Sequence, residues 1–331
     1  MNTRRFVATL AARNREFLRD RMALSWNILL PVLIVMGFAF AFTSDNQELF
    51  KVGVKGKPPE EIGFLTIQHI KFIPVGDLES SIPKVERHQL DMLLDLELRR
   101  YWINRTSAKG YILEQLLTAS GSALNKQTVS GKEIRYVDWL IPGVLGMNVM
   151  FSSLFGVGYV IVRYRKNGVL KRLKATPLTP FEFLSAQVVS RLWLIIMVTS
   201  LVYAGTDIFV GFRMHGSYLT LLLVLALGTL SMISLGLIVA ARMANEEAAN
   251  GLLNMLSWPM MLLSGVWFSL EGSPPVVQQL ALLLPLTHLT DAARKVMIDG
   301  AGLWEIRWHL AVLTVMTALF MAIGARTFRW E

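Results

Sequence analysis

The sequence predicts an all-α polytopic membrane protein with six transmembrane helices and an extracytoplasmic α/β domain between the first and second helices. Hydrophobic residues make up 53% of the chain and charged residues only 17%, whereas soluble proteins average about 45–50% and about 25%. Six stretches are apolar enough to cross a bilayer core, which takes about 20 residues each. One long polar segment, 44–136, separates the first two stretches. A soluble enzyme and a disordered chain are both excluded by these features.

The 331 residues contain no cysteine, so a disulfide framework and a thiol nucleophile are excluded. The patterns GxxxxGK[ST], GxSxG and HExxH do not occur in the sequence either. The chain therefore lacks the common motifs for cradling ATP phosphates and for hydrolysis. His69 and His88 lack metal-ligand spacing, and we interpret them as surface histidines. We expect a non-enzymatic chain with no catalytic residue, cofactor or metal of its own.

Residues 1–26 predict a cytoplasmic amphipathic helix. One face carries Phe6, Leu10, Phe17 and Leu18, and most of its arginines lie off that face. Such a helix lies in the membrane interface with its arginines at the headgroups. The first span, 27–43, is short but uncharged. A cleaved signal peptide is the alternative interpretation of the first 43 residues, but the basic region before the apolar run is too long for it.

The other five spans follow the polar segment. We place them at 139–162, 188–210, 218–241, 251–270 and 308–325. Ionisable groups are nearly absent at depth, which disfavours a proton- or sodium-coupled carrier. Asp207, near the outer end of the third span, is open to two interpretations: a role in transport or pairing with Arg213.

The polar segment 44–136 predicts a small mixed α/β domain. Residues 50–54 and 70–75 are typical of strands, and 108–119 of a helix. Residues 90–98 fit either a strand or a helix. Residues 57–59 and 120–132 have the composition of loops.

Lys and Arg beside the spans predict the orientation of the chain. Six lie in 1–26, six in 163–181, and three more are Arg242, Arg326 and Arg329. The short loops on the other side hold only three: Arg213, Arg294 and Lys295. Because short cytoplasmic loops are enriched in positive charge, both termini are expected in the cytoplasm. The net charge of +9 is thus attributed to membrane orientation, and nucleic acid is not an expected partner.

The loop 163–181 predicts a docking site for a soluble partner. Residues 163–174 carry six basic residues and no acidic one. Asn167 is expected to cap a short helix that Pro177 and Pro180 end. Leu170, Leu173 and Pro177 add an apolar component that membrane orientation alone does not require, so docking into a partner groove is favoured.

Three ordered blocks carry a family resemblance: 135–150 (RYVDWLIPGVLGMNVM), 167–187 (NGVLKRLKATPLTPFEFLSAQ) and 245–294. The last contains LLSGVWFSLEGSPP and LPLTHLTDAAR, which are the most specific part. Together they resemble the permease subunits of type-2 ATP-binding-cassette (ABC) exporters. The N-terminal helix, the first span and the large outer loop also match that family's plan, although 44–136 resembles its outer domains only loosely.

The resemblance implies that separate subunits form the transmembrane pathway and bind ATP. The six spans would form half of a transmembrane pathway in the type-2 permease architecture. A second copy of the permease, in a homodimer, or a related permease would complete it. Two copies of a separate ATPase would bind ATP and magnesium. A coupling helix in the loop would dock on the ATPase through Asn167, Gly168, Leu170, Lys171, Arg172, Leu173 and Pro177. The connector helix, with Phe6, Leu10, Phe17 and Arg21, would also touch it.

The resemblance further implies that 271–290 forms a re-entrant segment of short helices that dip into the outer leaflet. Pro274, Pro275 and Pro285 break a stretch that would otherwise be long enough for another span. Glu271 and Asp291 would lie at the outer face, where anchoring of the loop and contact with substrate are both open.

The expected location is the bacterial inner membrane, and a periplasmic adaptor is a further candidate partner. The few fixed charges of the spans favour a hydrophobic drug-like compound or a lipid as cargo. A polysaccharide or glycolipid permease is the alternative, and a sensor or scaffold that moves no cargo is less favoured. Export rather than import is implied by the resemblance alone.

Overall fold

The structure is a computed structural model that describes residues 3–41, 50–56, 63–78, 81–88, 90–121, 124–131, 135–212, 214–270 and 273–328. It is mostly helical, at 70%. The chain divides into two compact units, one formed by Met1–Ala41 with Val137–Glu331 and the other by Phe42–Tyr136. The first unit is a helical bundle and the second is an α/β unit.

The helices follow one another in a simple order along the chain. They are α1 (Thr3–Arg19), α2 (Arg21–Ala41), α3 (Ile82–Glu86), α4 (Ala108–Ala119), α5 (Tyr136–Ser153), a π-helical segment (Leu154–Tyr159), α6 (Val160–Lys166), α7 (Val169–Lys174), α8 (Pro180–Val210), α9 (Tyr218–Arg242), α10 (Glu246–Leu263), α11 (Pro275–Ala281), α12 (Pro285–Met297) and α13 (Arg307–Thr327). Of these, α3 and α4 belong to the α/β unit.

Four helices in the described part of the chain are long and apolar enough to cross a membrane. They are Tyr136–Lys166, Pro180–Val210, Tyr218–Arg242 and Arg307–Thr327. The pair Thr3–Arg19 and Leu24–Phe40, bent by 59°, would make a fifth. Helix α10, at the position of another predicted span, is 18 residues long and begins with two glutamates, so it does not reach the same apolarity. The chain is therefore an integral membrane protein with several membrane helices.

Two helix ends differ from the predicted spans. Helix α8 begins at Pro180, eight residues before the predicted start at 188, because Thr179 and Glu182 form a capping box there. Helix α10 ends at Leu263, not near residue 270. The left-handed backbone at Gly265, with φ 64°, is a conformation that favours glycine and ends a helix. The helix at the position of the predicted span 251–270 therefore begins and ends several residues earlier than predicted.

The helical bundle is most tightly packed around α5 and α12. Of the apolar window of the helix that contains α5, 72% is buried inside the bundle, compared with 17% for α13. Helix α12 has ten buried residues among thirteen. Glycines permit close approaches here, since a Cβ at Gly143 would overlap the carbonyl oxygen of Val266. The remaining exposed apolar surface of α8, α9 and α13 suits contact with lipid.

The α/β unit is built on a five-stranded sheet with the order β2-β1-β3-β4-β5. Its strands are β1 (Phe50–Lys55), β2 (Ile70–Pro74), β3 (Met92–Asp95), β4 (Arg100–Asn104) and β5 (Asn125–Val129). Strand β1 pairs in parallel with β2 and β3, β3 and β4 are antiparallel, and β5 is parallel to β4. A core that includes Val52, Phe64, Met92 and Leu113 is buried in this unit.

The predicted strands at 50–54 and 70–75 and the predicted helix at 108–119 coincide with β1, β2 and α4. The ambiguous stretch 90–98 contains strand β3. The loop prediction for 120–132 is wrong in part, because Asn125–Val129 forms the edge strand β5. The strand is polar and exposed, so it lacks the alternation on which a sequence prediction depends. Residues 57–59 lie outside the described part of the chain.

A tyrosine ties helix α4 to the sheet. The hydroxyl of Tyr101 donates a hydrogen bond of 2.8 Å to Glu114, whose carboxylate also pairs with Lys126 at 2.6 Å. Burial, together with the adjacent carboxylate, raises the pKa of Tyr101 to about 12. The tyrosine thus keeps its proton at neutral pH, and the bond persists.

Candidate coupling site

The chain turns at Asn167 and Gly168, between the end of α6 and the start of α7. Gly168 adopts a left-handed conformation with φ 68°, which a residue with a Cβ rarely takes. Asn167 is the C-cap of α6, not the N-cap of α7, so the expected capping role of Asn167 at the coupling helix is wrong. Glycine at 168 is what allows α7 to start one residue after the turn.

Helix α7 presents its cations to solvent and its first leucine to the bundle. Lys171, Arg172 and Lys174 are exposed, and Leu173 is partly exposed. Leu170 is completely buried, so in this conformation it anchors the helix instead of offering a surface. Pro177 is exposed after the helix. The accessible part of the predicted docking set is therefore Lys171, Arg172, Leu173 and Pro177.

Arg165 fastens the end of α6 to the end of α9. Its guanidinium donates to the carbonyl oxygens of Ala240 at 2.8 Å, Ala241 at 3.2 Å and Met243. The last carbonyl groups of a helix have no partner within the helix, and a cation there also complements the helix dipole. Arg165 thus acts as a cap for α9 and fixes the position from which α7 starts.

A second tie joins the same loop to the start of α10. Glu246 accepts hydrogen bonds from Tyr159 at 2.7 Å and from Lys166 at 2.8 Å. Asn245 caps α10 by accepting from the backbone N–H groups of Glu247 and Ala248. The ends of α6 and α9 and the starts of α7 and α10 therefore form one connected assembly, which we call the basic end of the bundle.

Helix α1 is bound to the basic end by polar contacts. Arg13 donates to Glu16 at 2.8 Å and to Tyr164 at 2.6 Å, and the hydroxyl of Tyr164 also contacts Glu16. Arg5 donates to the carbonyl oxygen of Pro177 in the predicted coupling loop. Ser190 of α8 donates to Asn14 at 2.5 Å. A displacement of the predicted coupling loop would therefore also displace α1.

The predicted connector residues are divided between two helices. Phe6, Leu10 and Phe17 are partly buried on α1, and Phe17 lies under the guanidinium of Arg191, with 4.8 Å to the ring centroid. Leu18, assigned to the same face, is 51% exposed. Arg21 is the first residue of α2, because the helix is interrupted at Asp20. The apolar face of α1 thus covers α8 of its own chain.

The opposite end of the bundle is organised around Arg294 of α12. Its guanidinium lies 3.8 Å from the ring centroid of Trp139 and donates to the carbonyl oxygens of Trp139 and Gly265. Asp291 lies 3.7 Å from Arg294. Arg294 therefore joins the start of α5, the turn after α10 and α12. This geometry fits an anchoring role for Asp291.

The predicted re-entrant segment contains two short helices in the structure. Pro274 is the N-cap of α11, and Pro275 and Pro285 are the first residues of α11 and α12, where a missing N–H costs nothing. With 7 and 13 residues, neither helix is long enough to span a bilayer. Glu271 lies outside the described residues, as does Arg213, the expected partner of Asp207.

Two buried histidines join α12 to α13. His288 Nε2 lies 2.9 Å from the carbonyl oxygen of Leu282, which can only accept, and its Nδ1 lies 3.2 Å from His309 Nδ1. Lys295 Nζ lies 3.2 Å from His309 Nε2 and can only donate. These partners assign a proton to His288 Nε2 and to His309 Nδ1, so both rings are neutral. No group of three or more His, Asp or Glu residues that could hold a metal occurs among the described residues.

An apolar pocket of about 320 Å³ lies between α5, α8, α9 and α12. Aliphatic side chains, six of them leucines, form most of its wall, and Thr199, Ser200, Tyr203 and Tyr218 contribute hydroxyl groups. Leu219 is 78% exposed, so the pocket opens at the side of the bundle. Ligand pockets of this kind combine an apolar wall with a few polar groups.

Several residues that build the basic end were missed by the sequence analysis. Arg13 was placed off the packing face of its helix, yet its side chain is only 10% exposed. Arg165 and Lys166 were counted as orienting charges, and Glu246 was not singled out. Their partners lie 75 to 87 residues away in sequence. The only signal was the cluster of basic residues at one helix end facing the first glutamates of another.

These features define a polytopic helical membrane protein whose basic end is held together by polar ties. Residues 88–298 match the family model described as ABC-2 type transporter, so the chain belongs to that family.

Curated relatives carry permease names. The inner membrane transport permease YhhJ of Escherichia coli (strain K12) is 27% identical over 185 residues, 55% of this chain and 49% of YhhJ. The probable multidrug ABC transporter permease YbhR of the same strain is 23% identical over 185 residues, 55% of this chain and 50% of YbhR. The daunorubicin resistance ABC transporter permease protein DrrB1 of Streptomyces coeruleorubidus is 24% identical over 200 residues, 59% and 69% of the two chains. The chain spans about half the length of YhhJ and YbhR.

Proposed function

We propose that this chain is the permease subunit of an ATP-driven exporter, in which two permease copies form a transmembrane pathway and each docks a separate ATPase. The match of the ABC-2 family model to residues 88–298 carries this proposal. ATP and magnesium would be bound by the ATPase, since the sequence holds no GxxxxGK[ST] motif. The chain itself would then be a non-enzymatic transport subunit.

The coupling surface in this proposal is the exposed side of α7. Lys171 and Arg172 supply charge, and Leu173 and Pro177 supply apolar surface. Ties from Arg165 and Arg5 support the role, because they make α7 part of an assembly with α9 and α1. When ATP closes the ATPases, α7 and α1 would move with them and shift the helices toward a state open to the outside. Such a shift requires different contacts with the ATPase in the two states.

Six spans would complete the pathway, with α1 lying at the interface and α2 and α10 crossing the bilayer as the first and fifth. The α/β unit would be extracytoplasmic, and both termini would lie in the cytoplasm of a bacterial cell with the chain in its inner membrane. The distribution of Lys and Arg supports this orientation, as does the concentration of cations at the basic end.

The orientation can be tested with single cysteines, because the chain contains none. A cysteine at Lys174 is expected to react with a membrane-impermeant maleimide only after the cell is permeabilised. A cysteine at Lys109, exposed in the α/β unit, is expected to react in cells whose inner membrane is intact. The reverse labelling pattern would contradict the orientation and, with it, the docking proposal.

The cargo we propose is a hydrophobic drug-like compound or a lipid. Two relatives are named for multidrug transport and daunorubicin resistance, and the pocket between α5, α8, α9 and α12 offers an apolar wall with hydroxyl groups. A glycan pathway would need free aromatic platforms. The ring of Trp139 is instead covered by the guanidinium of Arg294. Trp267 stacks on Phe38, with 5.5 Å between the ring centroids.

Reconstitution tests the function and the cargo together. In liposomes with its ATPase, the wild-type chain is expected to show ATP hydrolysis that rises with an anthracycline such as daunorubicin and ATP-dependent movement of that drug. Ala293→Phe, which fills the apolar pocket, is expected to reduce the stimulation about tenfold or more while basal hydrolysis persists. Leu319→Phe, on the exposed face of α13, is the matched control. Drug movement that does not require ATP would contradict the proposed function. Unchanged stimulation of hydrolysis in Ala293→Phe would contradict the role of the pocket.

A further inference from the structure

A second, polar cavity of about 760 Å³ lies at the basic end of the bundle. Its walls come from α1, the start of α2, the end of α5, the π-helical segment, α6, α8 and α10. It differs in character from the apolar pocket, because charged and amide side chains form much of its lining. None of the roles proposed so far uses this space.

The lining of this cavity is positively charged. Four arginines, Arg13, Arg19, Arg163 and Arg191, contribute to it, against the two carboxylates of Glu16 and Asp20. Arg13 is paired with Glu16 at 2.8 Å, so this pair contributes little net charge. A surplus of two positive charges remains in a space with low-dielectric walls, and such a space concentrates anions.

Arg191 lies well inside a membrane helix. It is the twelfth residue of α8, about 16 Å from the first residue at 1.5 Å per residue. Its Nε donates to the carbonyl oxygen of Ser152 at 3.2 Å, and its guanidinium lies over Phe17. An arginine within a membrane helix is costly and indicates a functional site.

The backbone around Arg191 is shaped to admit its guanidinium. Gly156 lies in the π-helical segment, and a Cβ there would overlap Nη2, Nε and Cζ of Arg191. Single π-helical turns inside α-helices are rare and are frequent at functional sites. The bulge and the glycine thus leave room for a charged group in the bundle that an ordinary helical residue would block.

The rest of the lining is suited to a molecule with both polar and apolar parts. Asn27, Asn250 and Asn254 offer amide groups, whereas Phe151, Phe155 and Val160 offer apolar surface. Arginine recognises phosphate and carboxylate oxygens through charge-assisted hydrogen bonds. We propose that this cavity binds the anionic headgroup of an amphiphile, with a phosphate as the recognised group and Arg191 as its principal ligand.

The biological role of the bound amphiphile rests on the proposed function: it is either cargo awaiting transport or a lipid that regulates transport. Binding itself requires only the permease. It can therefore be measured on the purified chain without an ATPase, so failure to bind and failure to transport remain distinguishable.

The test measures retention of dioleoylphosphatidylglycerol by the purified chain in a neutral detergent, using native mass spectrometry, with dioleoylphosphatidylcholine as the zwitterionic comparison. Wild type is expected to bind phosphatidylglycerol in a saturable manner and in preference to phosphatidylcholine. Arg191→Gln should weaken this binding about tenfold or more, the size expected for one lost charge-assisted contact. Arg242→Gln removes the same charge from an exposed position outside the cavity and should change binding less than about twofold.

A second variant keeps the proposal testable if the Arg191→Gln protein does not fold. Asn254→Asp is nearly isosteric. In the described part of the chain, the Asn254 amide nitrogen donates to Asn250, one turn earlier on the same helix, so the change gives up a local contact and adds a negative charge to the cavity wall. It is expected to weaken phosphatidylglycerol binding while phosphatidylcholine retention stays unchanged. Competition by glycerol 3-phosphate distinguishes a site for free phosphate from one that also requires acyl chains. Equal binding of the two lipids, or wild-type binding in both Arg191→Gln and Asn254→Asp, would overturn the proposal.

Discussion

Replacing Leu173 by aspartate is expected to abolish ATP hydrolysis stimulated by the permease, while the chain still inserts into the membrane. Leu173 is the partly exposed apolar residue between the exposed Arg172 and Lys174. In a groove of the ATPase its side chain would be buried, and a carboxylate there would lose its hydration without a designed partner. A cost of about 3 kcal/mol would weaken docking more than a hundredfold. The measurement is ATPase copurification together with stimulated hydrolysis in liposomes.

Two variants separate docking from folding. Leu98→Asp makes the same substitution at a position of the α/β unit that is 57% exposed, and we expect it to leave copurification and hydrolysis unchanged. Leu170→Asp places the charge at a completely buried position and should lower the yield of folded protein instead. If Leu173→Asp keeps wild-type copurification and hydrolysis, the surface of α7 is not where the ATPase docks.

The contrast between Leu170 and Leu173 shows how far the sequence could predict the coupling site. The run of cations and leucines between a membrane helix and two prolines predicts a short helix, and the structure contains α7 at that place. Which leucine faces inward depends on the turn at Gly168, whose left-handed backbone sets the phase of the helix. Both leucines satisfy an apolar pattern, so the pattern alone could not distinguish an anchor from an exposed contact.

The start of α8 was a different kind of error, because its signal is present in the sequence. Thr179, Pro180 and Glu182 fit a capping box with proline at the first helical position. Hydropathy identifies only the apolar part of a helix, and the first eight residues of α8 are too polar to register. As a result, the predicted start at 188 lies only three residues before Arg191, which is the twelfth residue of its helix.

The polar ties of the basic end could not be predicted from local sequence. Arg13, Glu16 and Tyr164 lie on helices separated by about half the chain, and each residue alone has an ordinary interpretation as a solvated or interfacial group. Their juxtaposition depends on how α1 packs beside α6, which is a tertiary property. The edge strand β5 has the same explanation, since its pairing with β4 outweighs a polar sequence with weak strand propensity.

Arg165 provides the second large expected effect. Arg165→Ala should lower both the thermal stability of the bundle and the hydrolysis that the permease stimulates. The side chain donates to three carbonyl oxygens at the end of α9. Ala240 and Ala241 are at most 1% exposed, so water cannot easily replace the guanidinium. Unsatisfied buried acceptors cost about 1–3 kcal/mol each, which corresponds to a fall in Tm of about 5 °C or more. Intrinsic fluorescence of the nine tryptophans reports the unfolding in detergent.

The matched variants make this result specific to the tie between α6 and α9. Arg165→Lys keeps the charge, but one ammonium group cannot replace a planar fork that reaches three carbonyls, so an intermediate Tm is expected. Arg172→Ala removes a cation from an exposed position and should leave the Tm unchanged while weakening hydrolysis. Because Leu173→Asp is likewise expected to spare the Tm, loss of hydrolysis with a lowered Tm indicates that the movement of α7 is no longer transmitted to α9. An Arg165→Ala protein that melts and stimulates hydrolysis like wild type would show that the carbonyl contacts do not hold the basic end together.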